Sequence, residues 1–208
     1  MKREMEDCRL CPRECGADRL HGKPGFCGVG SRIRAARAAL HLWEEPCLIG
    51  EKGSGAVFFS GCGLRCVFCQ NYEIARAAAG EEIPEERLAE IFLELQDQGA
   101  ANINLVTPTP YVPQIAEALT SAKRQGLALP VVYNCGGYEK VSTLQRLEGL
   151  VDIWLPDYKY ESRELARRYS RAEDYPDRVK EALDEMVRQA GRPVFAPDGR
   201  MLRGVIAR

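Results

Sequence analysis

Cys62-Gly63-Leu64-Arg65-Cys66-Val67-Phe68-Cys69-Gln70-Asn71 follows directly on Gly55-Ala56-Val57-Phe58-Phe59-Ser60-Gly61. The preceding run is short, apolar and β-prone and ends at a glycine, so it reads as a buried strand feeding a loop. The loop carries three cysteines spaced C-x3-C-x2-C. Thiolates are soft ligands suited to iron–sulfur clusters or zinc. Cys62, Cys66 and Cys69 on one compact loop would hold three corners of a cubane cluster and leave the fourth iron open to chelate a substrate. The competing readings are a zinc site that borrows a fourth ligand and three buried structural cysteines.

Downstream of this loop the sequence alternates helix and strand. Leu88, Ile91, Phe92 and Leu95 repeat at helical spacing within Pro84 to Gln98, and Gly99 ends the segment. Strands are expected at 56–60, 102–107, 130–134, 151–155 and 201–207, with helices between them carrying Ile115, Ala118, Leu119 and Ala122, then Val141, Leu144 and Leu147, then a charged stretch around Glu161–Arg168, then Val179 to Val187. Short apolar strands separated by helices imply a parallel sheet with helices outside. Right-handed crossovers would curl it into a partial (β/α) barrel. Chemistry in such barrels sits at the C-terminal ends of the strands. The cysteine loop, Thr107-Pro108-Thr109, Asn134-Cys135-Gly136-Gly137 and Asp157-Tyr158-Lys159 all fall there, which favours one shared site.

Upstream, residues 1–30 hold Cys8, Cys11, Cys15 and Cys27 among Gly, Pro and Arg, with few apolar residues to build a core. Four thiolates on one metal would give the stretch a shape, because metal binding supplies folding free energy directly. The spacing leaves zinc and a second iron–sulfur cluster both open, with His21 a bystander. Residues 31–55 read as a connector in which strand and short helix are not separable, with Cys47 a small buried hydrophobe, His41 a surface or packing residue and Gly50–Gly55 a flexible turn. The expected organisation is therefore a Cys-rich knuckle (1–30), a connector (31–55) and a partial barrel (56–208).

The chain's 208 residues suit one domain with a small appendage. Its 29 basic and 30 acidic side chains nearly cancel, which advertises neither a nucleic-acid nor a membrane surface. Nine cysteines without an export signal point to metal ligation in a reducing cytoplasm.

The whole chain resembles the pyruvate formate-lyase activating enzyme-like proteins of the radical S-adenosylmethionine (SAM) superfamily. The resembling pieces are Cys8-Arg-Leu-Cys-Pro-Arg-Glu-Cys-Gly16, Trp43-Glu-Glu-Pro-Cys47, the cysteine loop with Phe68 and Gln70-Asn71, Val106-Thr-Pro-Thr109 and Leu155-Pro-Asp-Tyr-Lys159. The resemblance implies a [4Fe-4S] cluster on Cys62, Cys66 and Cys69 that cleaves SAM to a 5′-deoxyadenosyl radical. It also implies a (β/α)6-type partial barrel, a reduced flavodoxin or ferredoxin-type electron donor, and a glycyl-radical enzyme as protein substrate. Phe68 would offer its backbone to the adenine, Gln70 would lie against that ring, and Lys159 beside Asp157 would sit near the SAM carboxylate. Thr107 and Thr109 stand where better-studied activating enzymes carry the Gly-Gly-Glu that holds the SAM amino group. Asn134 opens a segment where they carry Asp-Thr-Asn-Gly. The alternatives are radical SAM chemistry on a small molecule or another protein, and a non-catalytic iron–sulfur or zinc electron-transfer protein. Members of the family continue past the fifth strand, so the resemblance also implies a chain cut short at its C-terminal end, with an unpaired apolar edge.

Overall fold

The computed structural model describes residues 2–208, with side chains from Glu4 onward. A short helix α1 (Lys2–Glu6) precedes the cysteine-rich segment, and β1 (Ile33–His41) leads through α2 (Pro46–Ile49) to β2 (Ser54–Phe59). After the cysteine loop come α3 (Tyr72–Ala75), β3 (Glu81–Ile83), α4 (Glu85–Asp97) and β4 (Ile103–Val106). Next are α5 (Val112–Arg124), β5 (Val131–Cys135), α6 (Val141–Leu144) and β6 (Ile153–Pro156). The chain then forms α7 (Arg163–Ser170), α8 (Tyr175–Ala190), β7 (Val194–Phe195) and β8 (Met201–Val205). The sheet order is β3-β1-β2-β4-β5-β6-β8-β7. The pairs from β2 to β8 are parallel, and the outer pairs are antiparallel. This is a mixed α/β fold with a mostly parallel sheet, as the strand–helix alternation predicts.

Alternation along each strand divides the interior into two layers. Val131 and Tyr133 join Val57, Phe59, Ile103 and Leu105 in the core shared with Leu88, Phe92, Ile115, Leu119 and Met186 of the helices. Val132 points the other way, with Ile153 and Leu155, onto Leu48 and Met201. The α2 turn therefore covers this second face of the sheet. Leu48 is buried there and its carbonyl accepts from Asn102 Nδ2 at 2.7 Å. Burying one such leucine stabilises the fold by about 1.5–3 kcal/mol.

Three sequence expectations are corrected. Within 31–55, where the sequence leaves strand and short helix both open, β1 pairs along β2 from Ala35↔Phe59 to His41↔Ser54, and Ser54 and Gly55 belong to a buried strand and not to a flexible turn. The final strand does not leave a bare edge, because β7 pairs with β8 through Val194↔Arg203 and Phe195↔Met201. The N-terminal segment is not short of a core either. Met5, Leu10 and Val29 are buried, and Cys27 and Val29 join the main core. Cys47 is only partly buried, while His41 packs edge-on against Phe58 at 5.9 Å between ring centroids. Among the described residues no helix is long and apolar enough to cross a membrane.

Candidate active site

The cysteine loop leaves β2 through Gly61, whose φ of +89° belongs to the left-handed region that glycine adopts without strain. A side chain there would collide with Val29 and lie 2.9 Å from the Cys27 carbonyl. The loop is thus pressed against the N-terminal segment at its root. Further along, Val67 N donates to Tyr169 O at 3.0 Å, and Arg13 Nε donates to Gly63 O at 2.8 Å. Arg13 also reaches the carbonyls of Ser170 and Arg171, so one guanidinium ties the loop to the end of α7. Beneath the loop, Leu64 and Cys66 pack on Tyr138, Tyr160 and Tyr175. The Tyr175 hydroxyl accepts the Lys159 amide at 2.9 Å and reaches the carbonyls of Gly136 and Asp157 at 2.9 and 2.7 Å, fixing the β5 and β6 loops together.

These constraints shape one cavity of about 440 Å³ at the C-terminal ends of the parallel strands. Cys62, Cys66 and Cys69 line it, with Phe68, Gln70, Thr107, Thr109, Asn134, Asp157 and Lys159. All ten residues expected from the sequence at the principal site therefore face a common space. Lys159 Nζ donates to Asp157 Oδ2 at 2.5 Å, and Arg208 Nε donates to the other oxygen of Asp157 at 3.0 Å. Burial pushes the Cys62 thiol up to about 11, with the backbone amides of Arg65 and Leu64 acting in the opposite sense. Cluster insertion there would expel a proton, since the ligand is the thiolate. Ser170 Oγ lies 2.9 Å from Cys66 Sγ, and Leu64 N lies 3.4 Å from Cys62 Sγ. The Leu64 amide would favour the thiolate form of Cys62.

Two further carboxylates, to which the sequence reading gives no role, line the cavity. Glu139 is buried, accepts from Thr109 Oγ1 at 2.7 Å and from Tyr133 OH at 3.1 Å, and is pushed up to about 7 by burial against those hydrogen bonds. Glu44 accepts from Asn104 Nδ2 and Asn134 Nδ2, both at 2.9 Å, and pairs with Arg208 at 2.9 Å. Glu44 lies within the Trp43-Glu-Glu-Pro-Cys47 stretch quoted above. Glu139 stands alone, four residues after Cys135, and no spacing marks it.

Cys8, Cys11, Cys15 and Cys27 converge on a second, small cavity of about 20 Å³, which Gly63 and Thr109 also line. That is room on the order of one water-sized sphere. The knuckle and the cysteine loop thus share a wall. His21 is elsewhere, on the surface with Asp18 at 2.9 Å. Among the described residues no three His, Cys, Asp or Glu side chains are disposed around a single metal ion. Cys8 Sγ instead meets Arg19 Nη1 at 3.6 Å.

A sequence model described as the Radical SAM superfamily matches residues 56–197. The uncharacterized protein MJ0674 of Methanocaldococcus jannaschii is 31% identical over 188 residues, which is 86% of this chain and 53% of that protein. The chain spans about half the length of this curated relative.

Proposed function

Because the chain belongs to the radical SAM superfamily, we propose that its 440 Å³ cavity holds SAM beside a [4Fe-4S] cluster on Cys62, Cys66 and Cys69. When bound, the cluster and SAM supply reductive sulfonium cleavage and hydrogen-atom abstraction. The chain's own residues bind and orient. Lys159 suits the SAM carboxylate, being a cation in a partly water-shielded site. Glu139 suits the SAM ammonium: it brings to the tip of β4, through Thr109, a carboxylate that Thr107-Pro108-Thr109 itself lacks. Phe68 and Gln70 border the same space for the adenine. The observation that carries this reading is the convergence of four separate strand ends on one cavity.

For the hydrogen donor, the reading is a glycine in a glycyl-radical-type protein partner. Its support is the motif resemblance together with the cavity rim, where Trp43 is 89% exposed and Phe68 58% exposed. Apolar side chains at a mouth suit a protein surface. A reduced flavodoxin or ferredoxin-type protein would deliver the electron, and the N-terminal cysteines would hold a structural zinc or a second cluster. The test is anaerobic reconstitution with iron and sulfide, then dithionite and SAM. Formation of 5′-deoxyadenosine and methionine supports the reading, and a cluster EPR spectrum that SAM does not move would point to an electron carrier. A glycyl EPR doublet on an added glycyl-radical-loop protein tests the partner.

A further inference from the structure

We propose that the basic cavity on the outer side of the cysteine loop is the docking site for an acidic one-electron carrier protein. This rests on the SAM-cleaving reading above. The cavity, about 190 Å³, is lined by Arg65, Arg76, Arg168 and Arg171 with Phe26, Val67 and Tyr169, and no acidic residue lines it. Among the described residues none of these four arginines is in an ion pair. Elsewhere the chain pairs its surface arginines freely, as Arg87 with Glu94, Arg178 with Glu181 and Arg188 with Glu148. Four neighbouring guanidiniums repel one another, and an incoming anionic surface relieves that repulsion.

Three of the four arginines are held in place without being neutralised. Arg76 lies over Tyr72 at 4.2 Å, Arg168 over Tyr169 at 5.2 Å and Arg65 over Phe26 at 5.5 Å from the ring centroids. Such contacts orient a cation and leave its charge to act outward. Arg65 Nε is buried with no partner. Exposed Val67 sits within this charge and gives the patch an apolar centre. A small apolar patch with a charged rim suits a transient redox encounter, whose interface is among the smallest of specific complexes.

Position selects the carrier over other acidic partners. Arg65 and Val67 belong to the cysteine loop itself, so a partner seated there is one loop's thickness from Cys62, Cys66 and Cys69. The basic cavity and the 440 Å³ cavity have no lining residue in common: of the loop, Arg65 and Val67 line the first, and Leu64, Cys66 and Phe68 line the second. A donor can therefore dock without displacing SAM or substrate. The partner is a reduced low-potential flavin or iron–sulfur protein. It is oxidised by one electron as the centre held by the three thiolates is reduced by one, and no bond is made or broken.

The test uses Arg76→Glu with Arg168→Glu, both outside the cysteine loop and the SAM cavity, in the reconstituted enzyme. With photoreduced flavodoxin as donor, 5′-deoxyadenosine formation should fall at least tenfold, and the wild-type rate should drop steeply with added salt. With dithionite the variant should match wild type, and Arg76→Lys with Arg168→Lys should retain flavodoxin-driven turnover. A direct titration of oxidised flavodoxin, read by flavin fluorescence, should show at least tenfold weaker binding to the Glu variant. Equal losses with both reductants, or no loss with flavodoxin, would overturn the proposal. Tight pyrophosphate binding that the Glu variant abolishes while flavodoxin binding persists would assign the cavity to small phosphates instead. Absence of dithionite-driven cleavage in wild type would sink the SAM reading, and the fluorescence titration would still decide the docking site.

Discussion

Thr109 Oγ1 donates to Glu139 Oε1 over 2.7 Å, joining the loop after β4 to the loop after β5 in the buried wall of the main cavity. Neither residue alone would be a cofactor anchor. Together they place a partly dehydrated carboxylate where the chain's own β4 loop offers only hydroxyls.

Stability should fall as pH rises because of Glu139. Burial raises its folded value from the ordinary 4.5 to about 7. Between these values the folded chain keeps a proton that the unfolded chain has lost, so raising pH favours unfolding. The contribution is fully present below about 4.5 and gone above about 7, amounting to about 3 kcal/mol at most. Urea melts of the metal-free chain from pH 5 to 8 should show this slope, and Glu139→Gln should flatten it. An unchanged slope in the variant would locate the titration elsewhere.

Cys62→Ala, Cys66→Ala and Cys69→Ala should each abolish the charge-transfer absorbance of the reconstituted cluster and all 5′-deoxyadenosine formation. A single variant that kept a SAM-responsive EPR signal would remove that cysteine from the ligand set.

Lys159→Ala should weaken SAM binding about tenfold, equivalent to about 1.4 kcal/mol, while leaving cluster content intact. Equilibrium dialysis with labelled SAM measures it. Unaltered affinity would reduce the Lys159–Asp157 contact to a structural ion pair.

Arg13→Ala should loosen the cysteine loop. The change strips a donor from the carbonyls of Gly63, Ser170 and Arg171, at a cost of about 1–3 kcal/mol. Amide exchange at Val67 and Cys69 should accelerate and cluster loss under chelator should quicken. Protection equal to wild type would mean that the loop holds itself.

The five parallel strands were legible because each is a short apolar run between glycine or proline breaks, and the structure shifts their ends by only one or two residues. β1 was not legible. Its Ile-Arg-Ala-Ala-Arg-Ala-Ala-Leu-His sequence has one half-buried face and small side chains, so its hydrophobic period is faint. β3 and β7 are too short to show any period. Within the site, the cysteine loop and the strand-end motifs announce themselves by spacing. Glu44 and Glu139 do not, because isolated carboxylates become meaningful only when folding buries them beside Asn104 and Asn134, or Thr109 and Tyr133. The meeting of the knuckle with the basic cavity's neighbours is equally invisible, since it joins residues from opposite ends of the chain.

That joining has a consequence for biosynthesis. Leu10 O accepts from Thr143, and Arg13 caps the carbonyls of Ser170 and Arg171, contacts spanning 133 to 158 positions of sequence. Translation at about 5–20 residues per second leaves roughly ten to thirty seconds between the emergence of Arg13 and that of its partners. For most of that interval the first four cysteines are outside the ribosome while the barrel is still being completed. The order of synthesis therefore presents the amino-terminal thiols before the Cys62–Cys69 loop, and both of them before Ser170 and Arg171 are there to hold Arg13.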